Sequence, residues 1–226
     1  MRQNLSYSVL NTYRSMLTQT LPYVGIKWIA NSVLISKLLK GYFNLKPVKP
    51  RISFTWDASI VLRYLVILFP LSELSLKLLT LKLIALIALT TAARAQTISA
   101  LDIQYLVKFM DRYVFQIQTL LKTSKPEVPS PNVVLYKFQK KELCVVHTLD
   151  EYLSRTSDIR KTNKLFIYFQ TFNSITTCNL ARWLKEVFFL SYIDISKFSA
   201  HSFRGAATSK ALGLGVSLKN IRDTAN

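Results

Sequence analysis

Near the end of the sequence, Ala200-His201-Ser202-Phe203-Arg204-Gly205-Ala206-Ala207-Thr208 places one of only two histidines three residues before an arginine. The spacing predicts a helix over 199–212, with His201 and Arg204 on one face about a turn apart. Such a pair can grip one phosphate, although a His-x-x-Arg pair alone describes a solvated helix face equally well. The small residues after it permit close approach, and the chain around it is strongly basic. Two other places could contribute positive charge. Arg94, in Thr90-Thr91-Ala92-Ala93-Arg94-Ala95-Gln96-Thr97, follows a very apolar run, so it is either buried against a partner such as Asp102 or faces a cleft holding an anion. Lys122 and Lys125, in Leu121-Lys122-Thr123-Ser124-Lys125-Pro126, sit where a strand is predicted to end, a place where a lysine also serves to discourage strand pairing. His147, among Val145, Val146 and Leu149, reads as a structural histidine.

The charge balance narrows the class of partner. Thirty Lys and Arg against twelve Asp and Glu give a formal net charge of +18 over 226 residues, which points to a polyanion, either nucleic acid or an anionic membrane surface. Before Asp57 there is no acidic residue, while Arg2, Arg14, Lys27, Lys37, Lys40, Lys46, Lys49 and Arg51 make a basic N-terminal arm. A membrane span is excluded by charge spacing: the apolar stretch 60–93 is interrupted by Arg63, Glu73, Lys77, Lys82 and Pro70, so no run reaches the ~20 residues required. MRQNLSYSVL lacks the pattern of a secretory signal. Two widely separated cysteines, Cys144 and Cys178, fit a reducing compartment, and with two scattered histidines they offer no zinc site. The expectation is a soluble intracellular, nuclear protein with no metal and no cofactor.

Periodicity supplies the elements that must position these groups. A helix is predicted over 5–21, closed by Pro22, and a second over 31–39, capped by Asn31 or Ser32 with Gly41 just past its end. Lys46-Pro47-Val48-Lys49-Pro50-Arg51 is extended and cannot join a helix. This divides the chain into a short basic helical module over 1–45, a linker over 46–55 and a main domain over 56–226. Helices are predicted over 57–69 and 72–91, strands over 104–109 and 112–121 with Asp111 in the turn, and a short strand over 133–136. A helix over 144–155, a strand over 165–169 and a helix over 177–189 capped by Thr176 or Thr177 complete a mainly α fold with a small antiparallel β-sheet.

With these residues in place, the sequence resembles the tyrosine recombinase (phage integrase) family, closest to recombinases of eukaryotic mobile elements and their domesticated relatives. The resemblance is carried by LTTAARAQTISALDI around Arg94, TLLKTSKP around Lys122, CNLARWLKEV, and FSAHSFRGAATSKALGLGV around His201 and Arg204, in the family's order from about residue 55 onward. It implies a partner, double-stranded DNA, and a reaction: a tyrosine hydroxyl attacks a phosphodiester, leaving a 3′-phosphotyrosyl link and a free 5′-hydroxyl, without metal. It also implies roles. Arg94 and Arg204 would hold the non-bridging oxygens through their planar donor forks. Lys122, with Lys125 as the other candidate, would protonate the leaving 5′-oxygen, and His201 would assist proton transfer or bind the phosphate.

The resemblance further implies another His or Trp after this box and then the nucleophilic tyrosine. None of the eleven tyrosines follows Arg204, and the sequence stops at Thr224-Ala225-Asn226. The expectation is therefore a recombinase domain, a fragment or a decayed or repurposed copy, that binds DNA and cannot cut it. The alternatives are a non-catalytic DNA-binding protein that keeps the fold, and a basic helical protein that binds RNA or another partner. A homo-oligomer on DNA stays open, as does the target sequence.

Overall fold

The computed structural model describes residues 5–21, 32–47, 55–122, 124, 127 and 132–225. The chain divides into two compact units, Met1–Ser53 and Phe54–Asn226. Most of the 46–55 linker, Lys125 and the Asn31 cap fall outside the described residues.

The first unit is a helical hairpin of α1 (Tyr7–Thr20) and α2 (Val33–Leu45). Ser6 and Ser32 cap them, each hydroxyl accepting a backbone N–H at 3.4 Å, from Val9 and Ile35. The start of α1 meets the end of α2, through the Tyr7–Phe43 edge contact at 5.4 Å and the Tyr42 hydroxyl donating to the Leu5 carbonyl, so the helices are antiparallel. α2 runs through Gly41, which was expected to lie past its end, because no chain reversal occurs there and Leu45 can still form the last turn. Among the described residues of this unit only Leu39 is buried.

The second unit is built round α4 (Leu76–Thr91), capped by Ser75. From Leu79 to Ala88 every residue of α4 is buried, so this helix has no solvent face and has to be enclosed on all sides. It is enclosed by α6 (Val145–Thr156), α7 (Thr177–Leu190), α8 (Ser202–Gly213) and strand β3 (Val133–Tyr136). α3 (Ala58–Ile67), capped by the Asp57 carboxylate, packs against α7 and α8. The predicted 72–91 helix is interrupted: a single 3-10 turn over Leu71–Glu73 precedes α4, which starts where the Ser75 hydroxyl accepts the Leu78 N–H. Among the described residues no helix is long and apolar enough to cross a membrane.

The sheet is three-stranded and antiparallel in the order β1 (Leu106–Lys108), β2 (Arg112–Phe115), β3. Phe115 stands opposite both Leu106 and Val133, and Tyr113 opposite Lys108 and Leu135, so Tyr113, Phe115, Val133 and Leu135 share the core face. Asp150 on α6 fastens the sheet by accepting from Lys108 Nζ and the Tyr113 hydroxyl, each at 2.9 Å. β2 ends at Phe115 rather than at Leu121: after one further cross-strand bond, from Gln116 N–H to the Tyr105 carbonyl at 3.1 Å, Ile117 and Leu121 are still buried outside the ladder. The strand expected over 165–169 is absent as a ladder. Lys164 and Ile167 make only isolated bridges, to Asp102 and Ser174, because the chain there turns back on itself through Phe172 at φ 58°.

One buried group bears on stability. Lys82 is fully buried on α4, and its ammonium donates to the Leu68 carbonyl at 2.5 Å and lies 5.8 Å from the centre of the Phe69 ring. Burial pushes its pKa down to about 8. The unfolded chain then holds this proton more tightly than the folded one, so stability rises as pH climbs from about 8 towards the ordinary lysine value and carries the full penalty below 8. In urea unfolding followed from pH 7 to pH 10, the wild type should gain on the order of 3 kcal/mol relative to Lys82→Met, whose own curve lacks this rise.

Candidate phosphate-binding site

The candidate cations gather where α4 ends. Thr91 is the last helical residue, and Ala92 takes the left-handed conformation (φ 49°) that turns the chain away and closes the helix. The turn delivers Arg94 to the N-cap position of the short helix α5 (Ala95–Ser99), where it is half-buried. Asp102, considered as its partner, carries the ion pair with Lys164 at 3.3 Å.

Arg204 reaches the same turn from α8. Its guanidinium donates to the Ala92 carbonyl at 3.3 Å and to the Ala225 carbonyl at the end of α9 (Leu218–Ala225), a helix the sequence reading did not anticipate. Ala92, Ala207 and Ala225 form a small buried cluster with Leu89 beside it, and residues of this size let three segments approach that closely. Burial first, and the positive charge of Arg94 second, lower the pKa of Arg204 from its ordinary value. The structure therefore brings Arg94 and Arg204 within electrostatic reach of each other, although 110 positions separate them in the sequence.

His201 occupies the N-cap position of α8, which starts at Ser202 rather than at the predicted residue 199. It makes no side-chain cap and is exposed, one turn ahead of Arg204. What fixes this end of α8 is Trp56. Its indole N–H donates to Ser202 Oγ at 3.0 Å, and its ring meets Phe188 and Phe203 edge-on at 4.9 and 5.1 Å, while those two rings stack at 4.5 Å. Lys122 lies on an irregular stretch beyond β2, exposed, with its backbone N–H bonded to Gln96 Oε1 at 3.2 Å. Three of the four groups thus trace to the end of α4: Arg94 and Arg204 directly, Lys122 through Gln96. His201 is attached through the α8 backbone.

Sequence reasoning missed Gln96, Trp56 and the Ala225 carbonyl. A tryptophan just ahead of the Asp57 cap was the visible signal for the second. The other two depend on contacts between distant segments and left no local pattern.

No family model matches the chain, and no curated protein sequence matches it. Solved structures do. The integrase of the Tn1549 transposon, in complex with circular intermediate DNA, is similar with a TM-score of 0.60 at 16% identity, over 99% of this chain and 72% of that one. The XerH site-specific recombinase bound to palindromic difH substrate, in a post-cleavage complex, gives 0.58 at 14%, over 99% of this chain and 66% of that one. The XerA recombinase gives 0.56 at 14%, over all of this chain and 76% of that one. The chain thus spans about two thirds of the length of XerH. At these identities the likeness is one of fold: a mostly helical domain with a three-stranded antiparallel sheet, matching the tyrosine recombinase catalytic-domain fold.

The Trp56 bracket can be tested through stability. Ser202→Ala leaves the indole N–H without its acceptor and should cost about 1 kcal/mol, whereas Trp56→Ala, which also opens the aromatic cluster, should cost about 3–5 kcal/mol in chemical denaturation.

Proposed function

We propose that this chain binds double-stranded DNA and is built for tyrosine recombinase chemistry, strand cleavage and rejoining in DNA integration, of the type carried by eukaryotic mobile elements and acting in the nucleus. The observation that carries this reading is the convergence of Arg94 and Arg204 on one turn. Arg204 bonds the Ala92 carbonyl two residues before Arg94, so both positive charges act on one partly desolvated place, which favours an anion there. A phosphodiester has the matching charge and the two non-bridging oxygens that planar guanidinium forks can hold. The net charge of +18 and the recombinase fold, seen in proteins solved with DNA, support the same partner.

In that assignment Arg94 and Arg204 neutralise the charge that develops on the phosphate as a tyrosine oxygen adds and the 5′-oxygen departs. Lys122 supplies the proton to the departing 5′-oxygen, and His201 moves a proton or holds the phosphate at the exposed end of α8. None of the eleven tyrosines follows Arg204, so these 226 residues are proposed to grip the phosphate without cutting it.

Fluorescence anisotropy with a labelled duplex tests the shared pocket. Arg94→Ala/Arg204→Ala should weaken binding on the order of 100-fold, through two lost charge-assisted contacts. Unchanged binding overturns the pocket. Incubation of the wild type with a nicked duplex should leave no denaturation-resistant protein–DNA adduct, and the appearance of one refutes binding without cleavage.

A further inference from the structure

We infer that Gln96 is the positioning residue that ties Lys122 to the Arg94 turn, so that both cations address one phosphate; this rests on the phosphate reading above. Among the described residues, three contacts hold the segment that carries Lys122. Leu121 is buried in the core. A small turn closes on it, with Leu121 N–H donating to Ser124 Oγ and Ser124 N–H donating to the Leu121 carbonyl, both at 2.9 Å. The third is the bond from Lys122 N–H to Gln96 Oε1 at 3.2 Å. The first two fix the segment in depth and in local shape. Of these, the third fastens Lys122's own main chain to the element that carries an arginine.

Gln96 is itself held rigidly. It lies on α5 two positions after Arg94, and its carbonyl accepts from Ser99 Oγ at 2.9 Å and from Ala100 N–H at 3.1 Å. Ser99 Oγ also pairs with Thr177 Oγ1 at 2.9 Å, which anchors α5 to α7. A side chain on a fixed short helix thus governs the orientation of an exposed lysine on an irregular stretch. Lysine is a point charge on a flexible four-carbon stem, so where its ammonium spends its time depends on how its main chain is aimed. Without the Gln96 acceptor, Leu121 still anchors the segment, but the Lys122 amide turns to water and the ammonium loses its fixed origin.

The test uses the full chain and a labelled DNA duplex, with affinity measured across a range of salt. Each phosphate neutralised contributes about −0.9 to the slope of log affinity against log salt. Lys122→Ala should reduce the slope by about one. Gln96→Met keeps the side-chain length and removes the acceptor; it should reduce the slope equally, and Gln96→Met/Lys122→Ala should lose no more than Lys122→Ala alone. A purely structural role for Gln96 would lower the melting temperature and leave the slope intact. An unchanged slope in Gln96→Met, a loss that adds to that of Lys122→Ala, or no effect of Lys122→Ala itself overturns the inference. Arg94→Ala/Arg204→Ala in the same assay separates the two failures. If that pair binds like wild type, the phosphate reading falls; if it weakens binding while Gln96→Met does not, only the role of Gln96 falls.

Discussion

A helix that is buried all round imposes conditions that an amphipathic one does not. α4 needs neighbours on every side, and it gets them from α6, α7, α8 and the sheet. Because they all pack on one rod, the segments that leave its C-terminal end are near one another whatever their distance in sequence. The left-handed turn at Ala92 is therefore more than the stop of a helix. It is the point where the chain from α4 to α5, the α8 arginine and the end of α9 come together.

The electrostatics follow from that packing. Arg204 is drawn into partial burial, where its guanidinium donates to the main-chain carbonyls of Ala92 and Ala225, and the positive charge of Arg94 acts on it there. Carbonyl dipoles solvate a cation without cancelling it. Carboxylates tie other elements of the unit together: Asp150 under the sheet and Asp102 with Lys164. Lys82 shows the opposite solution, a charge that burial pushes towards neutrality.

Much of this was legible in the sequence, for reasons specific to each element. The caps at Ser6, Ser32, Asp57 and Thr176 are short-range chemistry, and the starts of the helices they begin were readable to within a few residues, while the end of α2 was not. β3 was readable because Val133–Tyr136 is bounded by polar and proline-rich chain. The ladder over 165–169 failed because a short apolar run between turns fits a buried crossing as well as a strand, and only the neighbours decide. The length of β2 was misjudged because Ile117 and Leu121 stay buried after pairing stops, so alternation outlasts the strand. At the candidate site, Arg94 and Arg204 were visible as residue types in unusual surroundings. What joins them, an alanine carbonyl and the end of α9, has no signature in composition or spacing.

The hairpin of the first unit has a thermodynamic consequence. α1 and α2 together bury one leucine among their described residues, while Leu34, Leu38 and Leu45 stay largely exposed. Two helices of this length with so little shared apolar contact supply little of the free energy that orders them. A partner that covered those leucines would add apolar burial that the two helices do not give each other. Such an association carries a negative heat-capacity change and an affinity that shifts with temperature more steeply than phosphate contacts alone would produce.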